Sequence, residues 1–382
     1  MDFEFTNDQQ MLRDTVRKWI DKDYSFEERQ KIVDTGGFSA KAWRTLAELG
    51  LLGLQISEDQ GGMGLGAIET MVVMEELGRG LLLEPYVHGA LIAPYLLAFA
   101  PTQIQQHYLP LISAGDKLVV LAHQEQGARY QLNHVTTRAA RSGDAWLLTG
   151  SKSIVPAAPF ADAFIVPARV TGVQDDASGL ALYLVQRASA GIDIQPYLKQ
   201  DGASAANVVF TTTAAELLIG AGDAPNGVSN LLENAVDIGI AALCAEGVGV
   251  MEALLALTVE YMNTRKQFGV PIASFQSLRH RIADIKLQLE LARSMSYLAS
   301  LKLGDQPAVR RRVLSQAKLQ LGRSMRFVGQ QCLQLHGGIG LTDEYIASHY
   351  FKRLTVIEMT FGDTLHQLGQ VSMRMGATAG VY

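Results

Sequence analysis

The sequence predicts a mostly helical α+β protein in three consecutive parts. These are an N-terminal helical domain at residues 1–118, a central antiparallel β-barrel or sandwich at 119–225, and a C-terminal four-helix bundle at 226–382. Three observations predict this order. Apolar residues recur at helical spacing up to about residue 118. Short β-rich runs separated by Gly and Asp turn signals follow. Long helical segments fill the rest, as a bundle requires. A length of 382 residues exceeds one simple core and fits two or three domains.

Each part has its own signals. Thr6 followed by Gln9 and Gln10 predicts a capped helix start and a helix through Ile20. Ala42 to Leu49 repeats the helical period, punctuated by Gly50 and Gly53. Gly61, Gly62, Gly64 and Gly66 form a glycine-rich turn before a helix over Ile68–Gly78. The run resembles a phosphate loop only superficially, because helix on both sides leaves no strand-turn-helix dinucleotide unit. The β-rich runs are Val119–Ala122, Ala145–Thr149, Ala163–Val170, Leu182–Val185 and Asn207–Thr212, with Ser142-Gly143-Asp144 as one of the turns. The long helices are expected over Val228–Thr264, Phe275–Leu303, Val309–Leu335 and Leu354–Arg374.

Composition narrows the function classes. Hydrophobic residues make up 48% and charged residues 19%, which leaves ample apolar material for a core or for subunit interfaces. A net charge of -5 with no basic run argues against nucleic acid or an anionic membrane as partner. Cys244 and Cys332 fall in apolar helical stretches and are expected to be buried free thiols, which suits a reducing, cytoplasmic setting. The eight histidines show no metal-ligand spacing, and no metal is expected. No leader pattern and no membrane-spanning apolar run are expected either.

The most informative stretch is Tyr261–Ile285, which reads as helix, sharp turn, helix. Gly269 and Pro271 stop the first helix; Phe275, Leu278, Ile282 and Ile285 restart an apolar stripe. Arg265 and Gln267 put a cation and an amide at the corner, a good place to hold phosphate. On spacing alone, a helical hairpin with a solvated arginine explains it as well.

Four segments together resemble the acyl-CoA dehydrogenase family. They are GLLGLQISEDQGGMG at Gly50–Gly64, GDAWLLTGSKS at Gly143–Ser153, RKQFGVPIASFQ at Arg265–Gln276 and QLHGGIGLTDEY at Gln334–Tyr345. They span nearly the whole chain in the family's order. The resemblance implies FAD, an acyl-CoA thioester substrate, electron-transfer flavoprotein as redox partner, and removal of a Cα proton and a Cβ hydride. It also implies FAD shared across a subunit interface, with the isoalloxazine in one subunit's β domain and the pyrophosphate and adenosine on the neighbour's bundle. Arg265, Gln267 and Phe268 match the family's R-x-Q-F-G element, Gln276 the following F-Q, and Gln334, Gly337 and Gly338 the Q-x-x-G-G element.

The rest of the pattern is eroded. Gln124 to Gln131 stand where the family has T-E-P-x-x-G-S-D, and only Glu125 survives. Ile154-Val155-Pro156 stand for the family's W-I-T, and proline offers neither N–H nor hydroxyl. The family's E-G-T base loop falls on Phe361-Gly362-Asp363, and the alternative base position on the first long C-terminal helix falls near Gly239. Glu358, Asp237 and Asp363 are the nearby carboxylates, each readable as a surface or capping residue. The pattern resembles the small, degenerate partner of α2β2 heteromeric enzymes, such as those for sterol side chains or of pimeloyl-CoA type. A homo-oligomer with a displaced base, or a non-catalytic binding or scaffold protein, remains an alternative expectation.

Overall fold

The structure is a computed structural model and describes residues 5–224 and 226–375. By contacts the chain forms two compact units, neither of them one continuous stretch. Of the described residues, one draws on 5–30, 67–82 and 240–375; the other on 31–66, 83–224 and 226–239.

The first unit is helical. Helix α1 (Asn7–Asp23) starts on Thr6, whose hydroxyl accepts from the Gln9 N–H while the Gln9 side chain accepts from the Thr6 N–H. This is the expected capping box. Helix α2 (Phe26–Asp34) begins in this unit and contributes Arg29, whose Nε donates to the Leu81 carbonyl. Helix α4 (Ala67–Arg79) packs along α1, and its buried Glu75 and Glu76 pair with Arg13, Arg17 and Arg79. Helix α3 (Ala40–Glu48), between them in sequence, belongs to the other unit.

The long C-terminal helices are α7 (Gly227–Thr264), α8 (Gln276–Leu301) and α9 (Pro307–His336). Helix α9 packs against α8, α10 (Ile346–Met359) and α11 (Thr364–Met375), burying Leu314, Ala317, Leu321, Met325, Val328 and Cys332 at spacings of three and four. Helices α4 and α7 meet backbone to backbone. A Cβ at Gly249 would sit 1.8 Å from the Glu75 carbonyl oxygen, and one at Gly78 would sit 2.3 Å from that of Glu246. Both cysteines are free and buried.

Two expectations need correction. Helix α7 does contain a stretch long and apolar enough to cross a membrane, with a mean hydropathy of 1.9. However, 78% of that window is buried inside the fold, so its apolarity is that of a core helix. The fourth long helix is two helices, because Phe361 (φ 57°) and Gly362 (φ 106°) adopt a left-handed backbone that no α-helix accepts.

The second unit holds α3, α5 (Ala93–Leu97), α6 (Thr102–Ser113) and seven strands. The strands are β1 (Val119–Leu121), β2 (Arg138–Ser142), β3 (Ala145–Pro156), β4 (Ala163–Arg169), β5 (Leu180–Gln186), β6 (Ile192–Leu198) and β7 (Ser204–Ile219). Strands β2, β3, β7, β5 and β4 pair in a closed circuit, so the sheet is a small barrel. Most pairings are antiparallel, but β4 runs parallel to both β1 and β2. The sequence signals miss β2 and β6, whose residues are largely exposed.

Candidate functional site

Helix α7 ends at Thr264, whose hydroxyl folds back onto the Glu260 and Tyr261 carbonyls at 3.1 Å. A two-residue hairpin follows: β8 (Lys266–Gln267) pairs with β9 (Val270–Pro271). Its turn residues are Phe268 (φ 54°) and Gly269 (φ 83°), the two positive φ angles that such a tight turn demands. Phe268 is 85% exposed, and Arg265, Gln267 and Gln276 are exposed beside it. The Ile272 N–H donates to the Arg265 carbonyl at 2.8 Å and pins the hairpin to the helix end. Gln276 is the first residue of α8.

Gln334, Gly337 and Gly338 lie at the other end of the same feature. Helix α9 stops at His336, and Gly337 turns left-handed at φ 66°. Gln334, Gly337 and Gly338 are exposed, and a Cβ on either glycine would meet no protein atom within 4 Å. The two elements touch. The ring of Tyr261, four residues before Arg265, lies 4.7 Å from that of His336, the residue before Gly337, with the planes tilted by 31°. The structure thus brings the hairpin and the Gly337-Gly338 turn into one corner of the helical unit. Its donors are a guanidinium, side-chain amides and uncovered backbone, a set that suits the phosphates of a dinucleotide.

The second feature is the break between α10 and α11, where Phe361, Glu358 and Asp363 lie. Glu358 is buried and accepts from the Thr364 N–H at 2.9 Å and from its hydroxyl at 2.5 Å. The Glu358 carboxylate also pairs with Arg326 at 3.3 Å. Asp363 caps α11, accepting from the His366 N–H at 2.7 Å. Both carboxylates are therefore engaged in holding helix ends. Asp237 and Gly239 lie on the part of α7 that belongs to the other unit, where both are buried.

Lys318 fixes the break from beneath. It is 1% exposed, and its ammonium donates to the carbonyls of Ile357 (2.7 Å), Glu358 (2.9 Å) and Gly362 (3.4 Å). Burial pulls its pKa down to about 8, against opposing pulls from Cys244, Glu358 and Asp363. Gln367 adds a bond to the Phe361 carbonyl at 3.0 Å.

The barrel unit carries the eroded motifs. Glu125 points inward: it is 3% exposed and accepts from Lys152 (2.6 Å), from the Thr136 and Thr137 N–H groups, and from both threonine hydroxyls. Burial alone would raise its pKa, but the Lys152 ammonium and these bonds hold it at about 2. His123 is held down to about 4 by burial and by the Lys152 charge. Strand β3 bulges between Lys152 and Val155, leaving Ile154 at φ 52° and 45% exposed. Val155 is buried, and Pro156 pairs with Ala205 on β7.

Three profiles match in order: the acyl-CoA dehydrogenase N-terminal domain over residues 6–116, the middle domain over 121–213 and the C-terminal domain over 226–376. The chain belongs to the acyl-CoA dehydrogenase family. A probable acyl-CoA dehydrogenase of Bacillus subtilis, YngJ, is 29% identical, covering 95% of this chain and 96% of its own length. The Tcur3481-Tcur3483 steroid ACAD is 26% identical with a TM-score of 0.86, covering 98% of this chain and 99% of that one. The ChsE4-ChsE5 complex from Mycobacterium tuberculosis has the same fold at 24% identity and a TM-score of 0.86, over 98% of this chain and 99% of that one. The family fold, with helical, β and helical domains in order, is that expected from the sequence.

Three residues escape the sequence reading: Lys152, Lys318 and His336. Each lies inside a segment whose periodicity is readable, but a single buried polar side chain leaves no mark on that periodicity. His336 sits within the Gln334–Tyr345 motif, and that position is the one signal that could have flagged it.

Proposed function

We propose that this chain is one subunit of a heteromeric FAD-dependent acyl-CoA dehydrogenase. In this reading it supplies the pyrophosphate and adenosine half of a shared FAD site. The observation that carries the proposal is that Glu358 and Asp363 are both occupied as helix caps beside Phe361, the residue on which the family's base loop is expected to fall. Phenylalanine cannot take a proton, so the base that removes the substrate's α-proton comes from the partner. Bound FAD would supply the acceptor for the β-hydride.

This chain's own residues would bind and orient. Arg265 meets phosphate charge, Gln267 and Gln334 offer amide donors, Phe268 and Gln276 flank the hairpin, and Gly337 and Gly338 let backbone approach the ligand. The partner is a paralogous subunit that keeps the Glu-Gly-Thr loop. Electron-transfer flavoprotein takes the electrons, and the setting is cytoplasmic. The substrate is an acyl-CoA, of the fatty-acyl or steroid side-chain class. Two of the solved relatives carry paired component names, which agrees with a two-component enzyme.

Co-expression with the paralogue tests the reading. Yellow colour and acyl-CoA-dependent dye reduction are expected from the pair and from neither chain alone. Full activity of this chain by itself would overturn it in favour of a homo-oligomer. Absence of flavin and acyl-CoA binding in every pairing would favour a scaffold.

A further inference from the structure

His336 is the middle ring of a stack of three. Tyr261, on the last turn of α7, lies 4.7 Å away with the ring planes 31° apart. Tyr345, the N-cap of α10, lies 5.3 Å away at 56°. The imidazole is 3% exposed. Its Nδ1 lies 2.9 Å from the Cys332 carbonyl oxygen, which can only accept, so Nδ1 carries the proton. Nε2 is then the bare nitrogen; it is buried and has no hydrogen-bond partner among the described residues. Gly340 packs closely against this position, since a Cβ there would sit 2.8 Å from the His336 Cβ.

We propose that His336 is a positioning residue for the dinucleotide corner and serves only as the neutral imidazole. The proposal rests on the reading that Arg265, Gln267, Gly337 and Gly338 hold the phosphate end of FAD. Tyr261 precedes Arg265 by one helical turn, and His336 directly precedes Gly337. The stack therefore couples the guanidinium-bearing helix end to the glycine turn. Without the imidazole, the two phenol rings lose their spacer and the turn is released. With a second proton, a charged N–H stands among aromatic rings with no acceptor.

Among the described residues, the groups facing the ring give it no anionic partner. On its own helix there is Cys332, whose thiol is buried and pushed up to about 11. From α7 comes Tyr261, and from the start of α10 comes Tyr345, whose hydroxyl is raised by burial and by nearby Tyr261 and Glu260. Burial holds the imidazole below its ordinary pKa, with the Cys332 carbonyl pulling the other way. The neutral form therefore prevails at pH 7, and protonation sets in only below the ordinary histidine range of about 6.5.

FAD dissociation from the co-purified pair, followed by flavin fluorescence from about pH 8 to 5, reads this directly. Wild-type FAD affinity should fall on the order of tenfold towards pH 5, about 1.4 kcal/mol. His336→Phe keeps a ring without a titrating nitrogen and should give a flat profile. His336→Ala should weaken FAD roughly tenfold at every pH. An unchanged pH slope in H336F, tighter binding at low pH, or unaltered affinity in H336A would each overturn the proposal. Hydrogen–deuterium exchange on the isolated chain separates this from the cofactor reading. H336A must speed exchange across residues 337–345, and an unchanged rate overturns the proposal. Faster exchange in a chain that binds FAD in no pairing supports the coupling and overturns the cofactor reading alone.

Discussion

Phe268 in the Arg265 hairpin and Ile154 on β3 are both apolar residues held at left-handed φ, and both are exposed. Their surroundings differ. Around Phe268, the polar groups Arg265, Gln267 and Gln276 face outward. Around Ile154, the one surviving motif residue, Glu125, has turned inward and spends both carboxylate oxygens on Lys152, Thr136 and Thr137. A ligand site keeps its donors available. Where polar groups satisfy each other inside, a motif residue has become structure. The first corner leaves its polar groups facing outward, whereas the second region spends its own on the framework.

That contrast can be broken at its strongest point first. Removing one partner of the buried Glu125–Lys152 pair strands a charge, so Glu125→Ala should cost ~3–5 kcal/mol in urea unfolding. If loss of Glu125 instead left stability intact and abolished flavin binding in the pair, the framework reading would fail. The same carboxylate gives a pH signature. Its folded pKa lies below its ordinary value, so its stabilisation is full above about 4.5 and drains away as pH falls towards about 2.

Lys318 gives a slope of the same sign in a different pH window. Its folded pKa, about 8, lies below the ordinary 10.5, so the protonated form carries a burial penalty. Stability should rise between pH 8 and 10.5, by up to ~3 kcal/mol, and Lys318→Met should flatten that rise in a urea series. A falling slope in wild type would show that the carbonyl bonds outweigh desolvation.

Arg265→Ala tests the outward-facing half. Loss of one charge-assisted contact should weaken FAD binding in the pair by ~1.5–3 kcal/mol without shifting the melting temperature of the free chain. A large melting shift with unchanged FAD binding would make this arginine a surface cap. The smallest expected effect sharpens the comparison most. Phe361→Glu puts a carboxylate where the family's base is expected, yet on the proposed reading the isolated chain should still fail to reduce dye, since the barrel would offer the flavin no complete cradle. Activity in F361E alone would show that the base was the sole missing part.

Much of this architecture is legible in the sequence because it is local. The Thr6–Gln9 capping box, the Phe268-Gly269 turn and the α9 stop at Gly337 are written in residues only a few positions apart. Strand β6 escapes because Pro196 argues against a strand and the segment is largely exposed. The break between α10 and α11 escapes because Leu354–Arg374 keeps helical spacing through it, and one glycine is tolerated in such a pattern. What decides the break is Lys318, on a different helix, reaching three carbonyls. The inward role of Glu125 is hidden for the same reason, because Lys152 lies 27 residues further along the chain.

The Lys318 clasp has a consequence for how such a chain diverges after gene duplication. The clasp grips main-chain oxygens, and so does Gln367, while Glu358 and Asp363 cap the next helix. None of these bonds uses the side chain at 361. Exchange of the side chain at 361 therefore leaves this set of bonds in place. On the companion reading proposed above, a base can be lost there while the clasp that shapes the loop stays in place.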